Sequence, residues 1–435
     1  MRSGINNFFK LEELKSNILT EISAGVSTFL ALSYIFVVNP AILGEGGMNK
    51  SAVLFATVVT SALATLAMGL WARKPFALAP GLEMNGYAVY YVILVLGFSW
   101  QNALGIVFWS GILFMILTLT RVREKIIVSI PITLKIGLAA SVGVFLMLIA
   151  LKISGVLDYK GMTINNIAFP LNIKFFVFLV SLVLVVIFEK LKIKISVLLS
   201  IIGATIFAHL MRYDFTHIEK VRISSEMFSA FLKLDIKSIL RPELISSLII
   251  LFVIDFYGSV AKFIGLTLNT PIVDKHGNMP DMKKALSVDG IAALLGATLG
   301  TTSVTIYVES GVGINAGGRS GLTAIVCAIL MFLFIPLAPI INLVPIEATA
   351  GALLWVGLKL IPNLTVLSKW RLFESISVIL MLLVTVLTFS LDKSMLTGFL
   401  SFLIGLLITK QWKSINPFLI ITMLLLLAGF ILTLI

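Results

Sequence analysis

Three acids are embedded in apolar sequence, and they are the first place to look for chemistry. Asp255 directly follows the apolar run 248–254, while Glu83 and Glu309 lie within apolar segments interrupted by glycine or proline. A carboxylate can accept hydrogen bonds from the N–H groups of a planar heterocycle, and it can also carry a proton. An ionisable side chain at the centre of a bilayer costs about 2.5–3.5 kcal/mol on the insertion scale, so acids kept in such a setting point to function. Asn85, close after Glu83, offers both donor and acceptor edges. Phe256, beside Asp255, and Thr305, shortly before Glu309, complete the candidate substrate contacts. Asp255 and Glu309 are the candidates for a coupled proton. Neither a metal site nor a cofactor is expected.

Two of these acids need unusual elements to position them. The segments are Ala77-Leu78-Ala79-Pro80-Gly81-Leu82-Glu83-Met84-Asn85-Gly86 and Thr301-Thr302-Ser303-Val304-Thr305-Ile306-Tyr307-Val308-Glu309-Ser310-Gly311. Lipid cannot satisfy irregular backbone, so broken helices must be covered by protein or face a watery cavity. A pair of interrupted apolar segments at corresponding places is a pointer to a transporter's binding site. The β-branched Val304-Thr305-Ile306 suits a short extended stretch feeding a half-helix. Glycines that merely let helices pack closely would explain one such segment more readily than two.

The wider chain supplies the membrane. Of 435 residues, 59% are hydrophobic and 12% charged, and the mean hydropathy is +1.08. A soluble domain carries about 25% charged residues, so lipid must be the solvent for most of this chain. The net charge of +12 is spread through short connections, unlike the basic patch of a nucleic-acid binder. Apolar runs of spanning or near-spanning length cover 18–38, 51–72, 101–120, 132–151, 171–188, 193–211, 244–264, 285–300, 320–343, 346–361, 372–391, 394–409 and 416–435. With the broken segments 76–96 and 300–318, about fourteen true spans are expected, the stretch 416–435 being either a span or a surface addition. The first run is too long for a signal peptide and ends in Asn39-Pro40, so it reads as a retained span.

Charge and spacing set the orientation and repeat. Alternate connections hold Arg73-Lys74, Arg121, Arg123 and Lys125, Lys190, Lys192 and Lys194, Lys275, Lys283 and Lys284, Arg319, Lys369 and Arg371, and Lys410 and Lys413. The positive-inside rule therefore puts the N-terminus in the cytoplasm. The long connection 212–243 departs from the rule and could hold an amphipathic surface helix. Ile130-Pro131-Ile132, with Gly137 and Gly143 after it, is echoed by Val344-Pro345-Ile346, with Gly351 and Gly357. The two prolines are 214 residues apart by sequence number, and the broken segments are offset similarly. Two halves of about seven spans each must then be inserted in opposite senses, the inverted-repeat plan of secondary transporters. Other polar residues read as bland: Glu21 as interfacial, Lys262 as a snorkelling side chain, His209, His217 and His276 as surface, Arg319 as an anchor and Cys327 as packing.

At these residues the chain resembles the purine-permease branch of the nucleobase–cation symporter family 2. Ser27-Thr28-Phe29-Leu30-Ala31-Leu32-Ser33-Tyr34-Ile35 through Val38-Asn39-Pro40 is similar to that branch's first span, and Ala77 to Asn85 to its Ala-Pro-Gly-Met-Gly-Leu-Asn motif. Ser99-Trp100-Gln101, Ala103-Leu104-Gly105, Tyr307-Val308-Glu309-Ser310 and Gly317-Gly318-Arg319-Ser320-Gly321-Leu322-Thr323-Ala324 also resemble it, the last being the most specific. The similarity is weakest in 155–245 and after 362. The resemblance implies an all-α integral membrane protein of fourteen spans in two inverted sevens, with a core domain (1–125 and 244–343) and a gate domain (126–243 and 344–435). It also implies uptake of hypoxanthine, guanine or adenine with a coupling proton, sodium being the alternative. An elevator-like movement, homodimers and a cell-membrane location go with it. By resemblance, Asp255 is the acid of the Phe-Asp-Thr-x-Gly motif, here Ile254-Asp255-Phe256-Tyr257-Gly258, Glu309 that of Tyr-x-Glu-Ser, and Asn85 the asparagine of the first broken segment. Four positions depart: Glu83 for a small Gly, Phe256 for Thr, Phe252 for a frequent Asp, and Asn315 for Ala.

The rival reading is an anion carrier of the sulfate or bicarbonate type with the same fold, although Asp255, Glu309 and Glu83 would repel an anion. An intramembrane aspartyl protease using Asp255 and Asp289 lacks the Gly-x-Gly-Asp context, because Leu286-Ser287-Val288 precedes Asp289. A channel fits less well, since inverted repeats around broken helices suit alternating access. The chain is therefore expected to be a carrier and not an enzyme.

Overall fold

Polar caps start many of the helices. The side chains of Asn17, Asn49 and Asn172 accept the backbone N–H of Thr20 (2.9 Å), Ala52 (3.1 Å) and Phe175 (2.9 Å), each meeting an otherwise orphaned donor of a first turn. A computed structural model of the chain describes residues 2–120, 131–160, 163–193, 195–214, 221–267, 272, 279–361, 370–415 and 417–432. Of the residues singled out above, Arg121, Arg123, Lys125, Ile130, Lys194, His217, Lys275, His276 and Lys369 lie outside the described residues.

The chain is mostly helical. Its first half holds α1 (Ile18–Leu32), α2 (Ile35–Glu45), α3 (Lys50–Ala67), β1 (Leu78–Pro80), α4 (Leu82–Gly86), α5 (Trp100–Leu119), α6 (Ile132–Ile153), a hairpin of β2 (Leu157–Lys160) and β3 (Thr163–Ile167), α7 (Ile173–Lys190) and α8 (Ser196–Leu210). Its second half holds α9 (Pro242–Thr267), α10 (Met282–Leu299), β4 (Val304–Ile306), α11 (Ser310–Asn315), α12 (Gly321–Leu333), α13 (Ile346–Leu360), α14 (Leu372–Thr388), α15 (Leu391–Ile408) and α16 (Pro417–Leu432). Among the described residues, Ile18–Glu45, Lys50–Ala72, Trp100–Leu119 and Ile132–Ile153 are long and apolar enough to cross a bilayer. Gly321–Leu333 with Ile335–Leu343, bent by 65°, makes a fifth if taken as one span, and Ser196–Leu210 and Leu372–Thr388 are shorter apolar helices.

Outward faces confirm the solvent. On α7, Phe176, Leu179, Val183 and Ile187 form an exposed apolar stripe, while Val177, Phe178, Ser181 and Val185 are buried. On α14, Ile376, Ile379, Leu383 and Leu387 are exposed and Ser377, Val378, Met381 and Thr385 are buried. Small polar residues packed inward with apolar residues outward is the pattern of helices associating in lipid. Helices α6, α7, α8, α13, α14 and α15 pack on one another, and α1, α2, α3, α5, α9, α10 and α12 form a second set. Helices α6 and α13 cross at Gly143 and Gly357, where a Cβ on either would clash with the other's carbonyl oxygen. The terminal helix α16 lies against α9 and α15.

The long connection after α8 is not an amphipathic α-helix in its described part. It forms two short 3₁₀ turns, Ser225–Phe228 and Ile236–Leu240. Bonds from α5 hold it instead: Trp109 Nε1 donates to the Ile236 carbonyl (2.8 Å) and Asn102 Nδ2 to Asp235 Oδ2 (2.7 Å).

Against α3, α9 and α10 of the second set, β1 and β4 pair antiparallel, with Leu78 opposite Ile306, Ala79 opposite Thr305 and Pro80 opposite Val304. The expected extended stretches thus satisfy each other. Gly81 N–H donates to the Ser303 carbonyl and Tyr307 N–H to the Ala77 carbonyl, both at 3.0 Å. Leu78 N–H is met by Thr65 Oγ1 and Ala77 N–H by Ser310 Oγ, each at 2.9 Å. A two-stranded patch with side-chain partners closes the hydrogen-bond accounting that lipid would leave open.

Candidate functional site

The acids divide by what they touch. Asp255, on α9, is 2% exposed and accepts from Ser303 Oγ at 2.5 Å. Asp289, on α10, accepts from Thr305 Oγ1 (2.9 Å) and Ile306 N–H (3.2 Å) with one oxygen, and from Ser259 Oγ with the other. These two carboxylates brace β4 and its approach. Asn85 is fully buried in a chain of short polar bonds: it donates to Asn39, accepts from Thr302, and Asn39 Nδ2 in turn donates to Thr57 (2.6 Å) and Thr301 (2.9 Å). The chain ties α2, α3 and α4 to the backbone just before β4.

Glu309 and Glu83 face a different environment. Tyr34 OH donates to Glu309 Oε1 at 2.7 Å, and Glu309 Oε2 is buried with no hydrogen-bond partner among the described residues. Glu83 Oε1 holds Lys262 Nζ at 2.7 Å, with the two side chains only 9% and 16% exposed. Gly258, one turn before Lys262 on α9, leaves the space beside this carboxylate. Lys262 is therefore no snorkelling side chain: a buried ammonium needs a counter-charge, and Glu83 supplies it.

A narrow waist of about 40 Å³ is bordered by Tyr34, Glu83, Lys262, Tyr307 and Glu309. Two larger lobes adjoin it and share Val308 and Leu360 as a wall. One, of about 370 Å³, contains Glu83, Lys262 and Lys135 in an otherwise apolar lining. The other, of about 350 Å³, runs from Glu309 to Glu189 and Lys359, which pair at 2.5 Å. The first lobe lies between α6, α13 and α15 on one side and α9 and Glu83 on the other, and the second between α7, α8 and α13 on one side and Ala31, Val308, Glu309 and α11 on the other. A separate cavity of about 310 Å³ is bordered by Lys174, Tyr213 and Glu347 and by no residue of β1 or β4.

Of the candidate residues, the structure brings Glu309 and Glu83 to one space. Asp255, Asn85, Thr305 and Phe256 do not border the waist or its lobes. Phe256 packs edge-on to Phe114 (6.2 Å between ring centroids) and against Phe252 (5.5 Å). Glu21 corrects the interfacial reading: it is fully buried and accepts from Arg319 N–H (2.9 Å), Ser320 N–H (3.2 Å) and Thr323 Oγ1 (2.6 Å). A carboxylate at a helix N-terminus meets orphan donors and the helix dipole together. The glycine-rich approach to α12 was a signal that such an acceptor is needed, though not which acid provides it. Arg319 folds back on its own segment, donating to the carbonyls of Ile314 (2.5 Å) and Gly318 (2.8 Å).

The sequence pattern of the Permease family (Xan_ur_permease) matches residues 19–392. The adenine permease AdeP of Escherichia coli (strain K12) is 32% identical over 421 residues, covering 97% of this chain and 94% of that protein. The guanine/hypoxanthine permease GhxP of Escherichia coli O157:H7 is 30% identical over 424 residues, covering 95% of this chain and 93% of that protein. Among solved structures, the transmembrane domain of the cyanobacterial bicarbonate transporter BicA aligns with a TM-score of 0.64 at 14% identity, over 87% of this chain and 96% of that one. The murine Solute Carrier 26 family member A9 anion transporter aligns with a TM-score of 0.66 at 15% identity, over 94% of this chain and 72% of that one. At such identities the likeness to anion carriers is one of fold. With a family match over nearly the whole chain and a cavity between two helix sets at paired strands, this chain belongs to the Permease family and is a multi-pass membrane transporter, not an enzyme.

Proposed function

We propose that this transporter imports purine bases across the cell membrane by proton symport. The observation that carries the reading is Glu309: a buried carboxyl with one oxygen held by Tyr34 and the other unpartnered, beside a cavity at the paired strands. An ionised carboxylate is acceptor-only, while its protonated form adds an O–H donor. One group can thus both hold a base N–H and carry the coupled proton. The purine names of the relatives that cover this chain nearly end to end support the substrate class. Asp255 acts in this reading through Ser303, as a brace for the strand that leads to Glu309.

The accompanying architecture is fourteen spans in two inverted sevens, with 1–125 and 244–343 as core and 126–243 and 344–435 as gate. The two packed helix sets and the mutual contact of Gly143 and Gly357, which share the 214-residue offset of Pro131 and Pro345, support it. With the N-terminus inside, one lobe reaches the cytoplasmic ends of α6 and α13 and the other those of α7 and α13, as in a carrier open to the cell interior. Homodimers and an elevator movement of the core complete the proposal.

Uptake of radiolabelled hypoxanthine, guanine and adenine into cells lacking their own permeases tests it. Accumulation that a protonophore collapses is the expected result. Uptake of sulfate or bicarbonate with none of the bases would hand the case to the anion-carrier reading. Cysteine labelling at the Lys192 position should occur from the cytoplasm, and labelling from outside would sink the orientation.

A further inference from the structure

We propose that Lys262, held in place by Glu83, is a specificity-determining residue that selects 6-oxopurines over 6-aminopurines. The proposal rests on the purine reading above and narrows it. Lys262 Nζ carries three N–H donors and no acceptor. One is taken by Glu83 Oε1 at 2.7 Å, and no other hydrogen bond to Lys262 is made among the described residues. The pair borders both the waist and the 370 Å³ lobe, so the remaining donors belong to the cavity wall. The ion pair also balances the Lys262 charge, so a neutral base meets no uncompensated ammonium at this point of the wall.

The edge that satisfies a donor-only ammonium is one with two neighbouring acceptors. The O6 and N7 atoms of a 6-oxopurine form such an edge, the one that lysine reads on guanine in nucleic acids. Adenine puts an N–H donor at C6 beside N7, an edge that suits the mixed donor and acceptor of an amide side chain instead. Across the waist, the unpartnered Glu309 Oε2 is an acceptor for a ring or exocyclic N–H, and Tyr34 and Tyr307 offer aromatic surface. Donor on one side and acceptor on the other match the carbonyl and N–H of hypoxanthine or guanine. Overall similarity does not make this choice, since the adenine permease AdeP and the guanine/hypoxanthine permease GhxP are 32% and 30% identical to the chain.

The test is competition for uptake of radiolabelled hypoxanthine by guanine, adenine and 7-deazaguanine, which lacks the N7 acceptor. In the unaltered protein, guanine should compete at least about tenfold better than adenine, and 7-deazaguanine should be weakened relative to guanine. Lys262→Gln should narrow or reverse the guanine-to-adenine ratio. Because that change leaves Glu83 without its counter-charge and could unfold the protein, Glu83→Gln with Lys262→Gln provides a neutral wall with the same expected loss of preference. Equal competition by adenine and guanine in the unaltered protein, or a preference that survives in the double variant, overturns the proposal while leaving purine transport intact. Uptake of no purine at all overturns the purine reading and this proposal with it.

Discussion

The two broken segments have the same design and opposite charge solutions. Both place an extended stretch against its partner, and both bring a glutamate to the same waist soon after the strand. In the first, Glu83 is neutralised by Lys262. In the second, Glu309 has the Tyr34 hydroxyl alone among the described residues, and the two further acids nearby, Asp255 and Asp289, accept from Ser303, Thr305, the Ile306 N–H and Ser259. One arm carries its own counter-charge, and the other leaves a carboxyl oxygen without a hydrogen-bond partner among the described residues. These acids thus differ in what their oxygens meet, and in the proposed mechanism the one with an unpartnered oxygen is the working group.

The largest effect should come from the open arm. Glu309→Gln is expected to abolish proton-driven accumulation while the protein stays folded, because the amide keeps the size and an acceptor for Tyr34. Accumulation that still collapses with a protonophore in this variant would remove Glu309 from coupling. Next is the closed arm. Lys262→Met leaves a buried, unpaired Glu83, at an expected cost of about 3–5 kcal/mol. Thermal melting in detergent should show a large fall for the single variant and recovery when Glu83→Gln is added, and additive losses would mean that the pair is not coupled.

The braces should have smaller effects, read mainly in stability. Asp255→Asn and Asp289→Asn each disturb buried hydroxyl partners, for about 1–3 kcal/mol. Their melting points should fall together. Asp255→Asn should also lower base binding through the misplaced strand, while exchange driven by a base gradient persists in part. If Asp255→Asn instead matched Glu309→Gln, losing coupling with full thermal stability, the division between bracing and working acids would fail. The smallest effect is expected from Tyr34→Phe, which removes one hydrogen-bond donor from Glu309 and leaves the carboxyl at the cavity. A several-fold change in half-saturating base concentration, with uptake still proton-driven, is the anticipated outcome. No change at all would mean that the hydroxyl does not orient the carboxyl.

Much of this molecule follows from local rules. Apolar composition over whole spans dictates lipid as solvent, whatever the packing. Pro80 and Gly81 in one segment, and Val304-Thr305-Ile306 followed by Gly311 in the other, mark where helices must break. The acids worth attention were legible too, since Glu83, Asp255 and Glu309 stand out against apolar neighbours. Their roles were not. Glu83 meets Lys262, Glu21 meets Ser320, and Tyr34 meets Glu309 only because segments far apart in the chain pack side by side. The sequence by itself determined the solvent, the positions of the breaks and the inventory of charges. The tertiary structure alone decided which charge faces which, because the cost of a buried ion is set by the partner within a few ångströms and not by its neighbours along the chain.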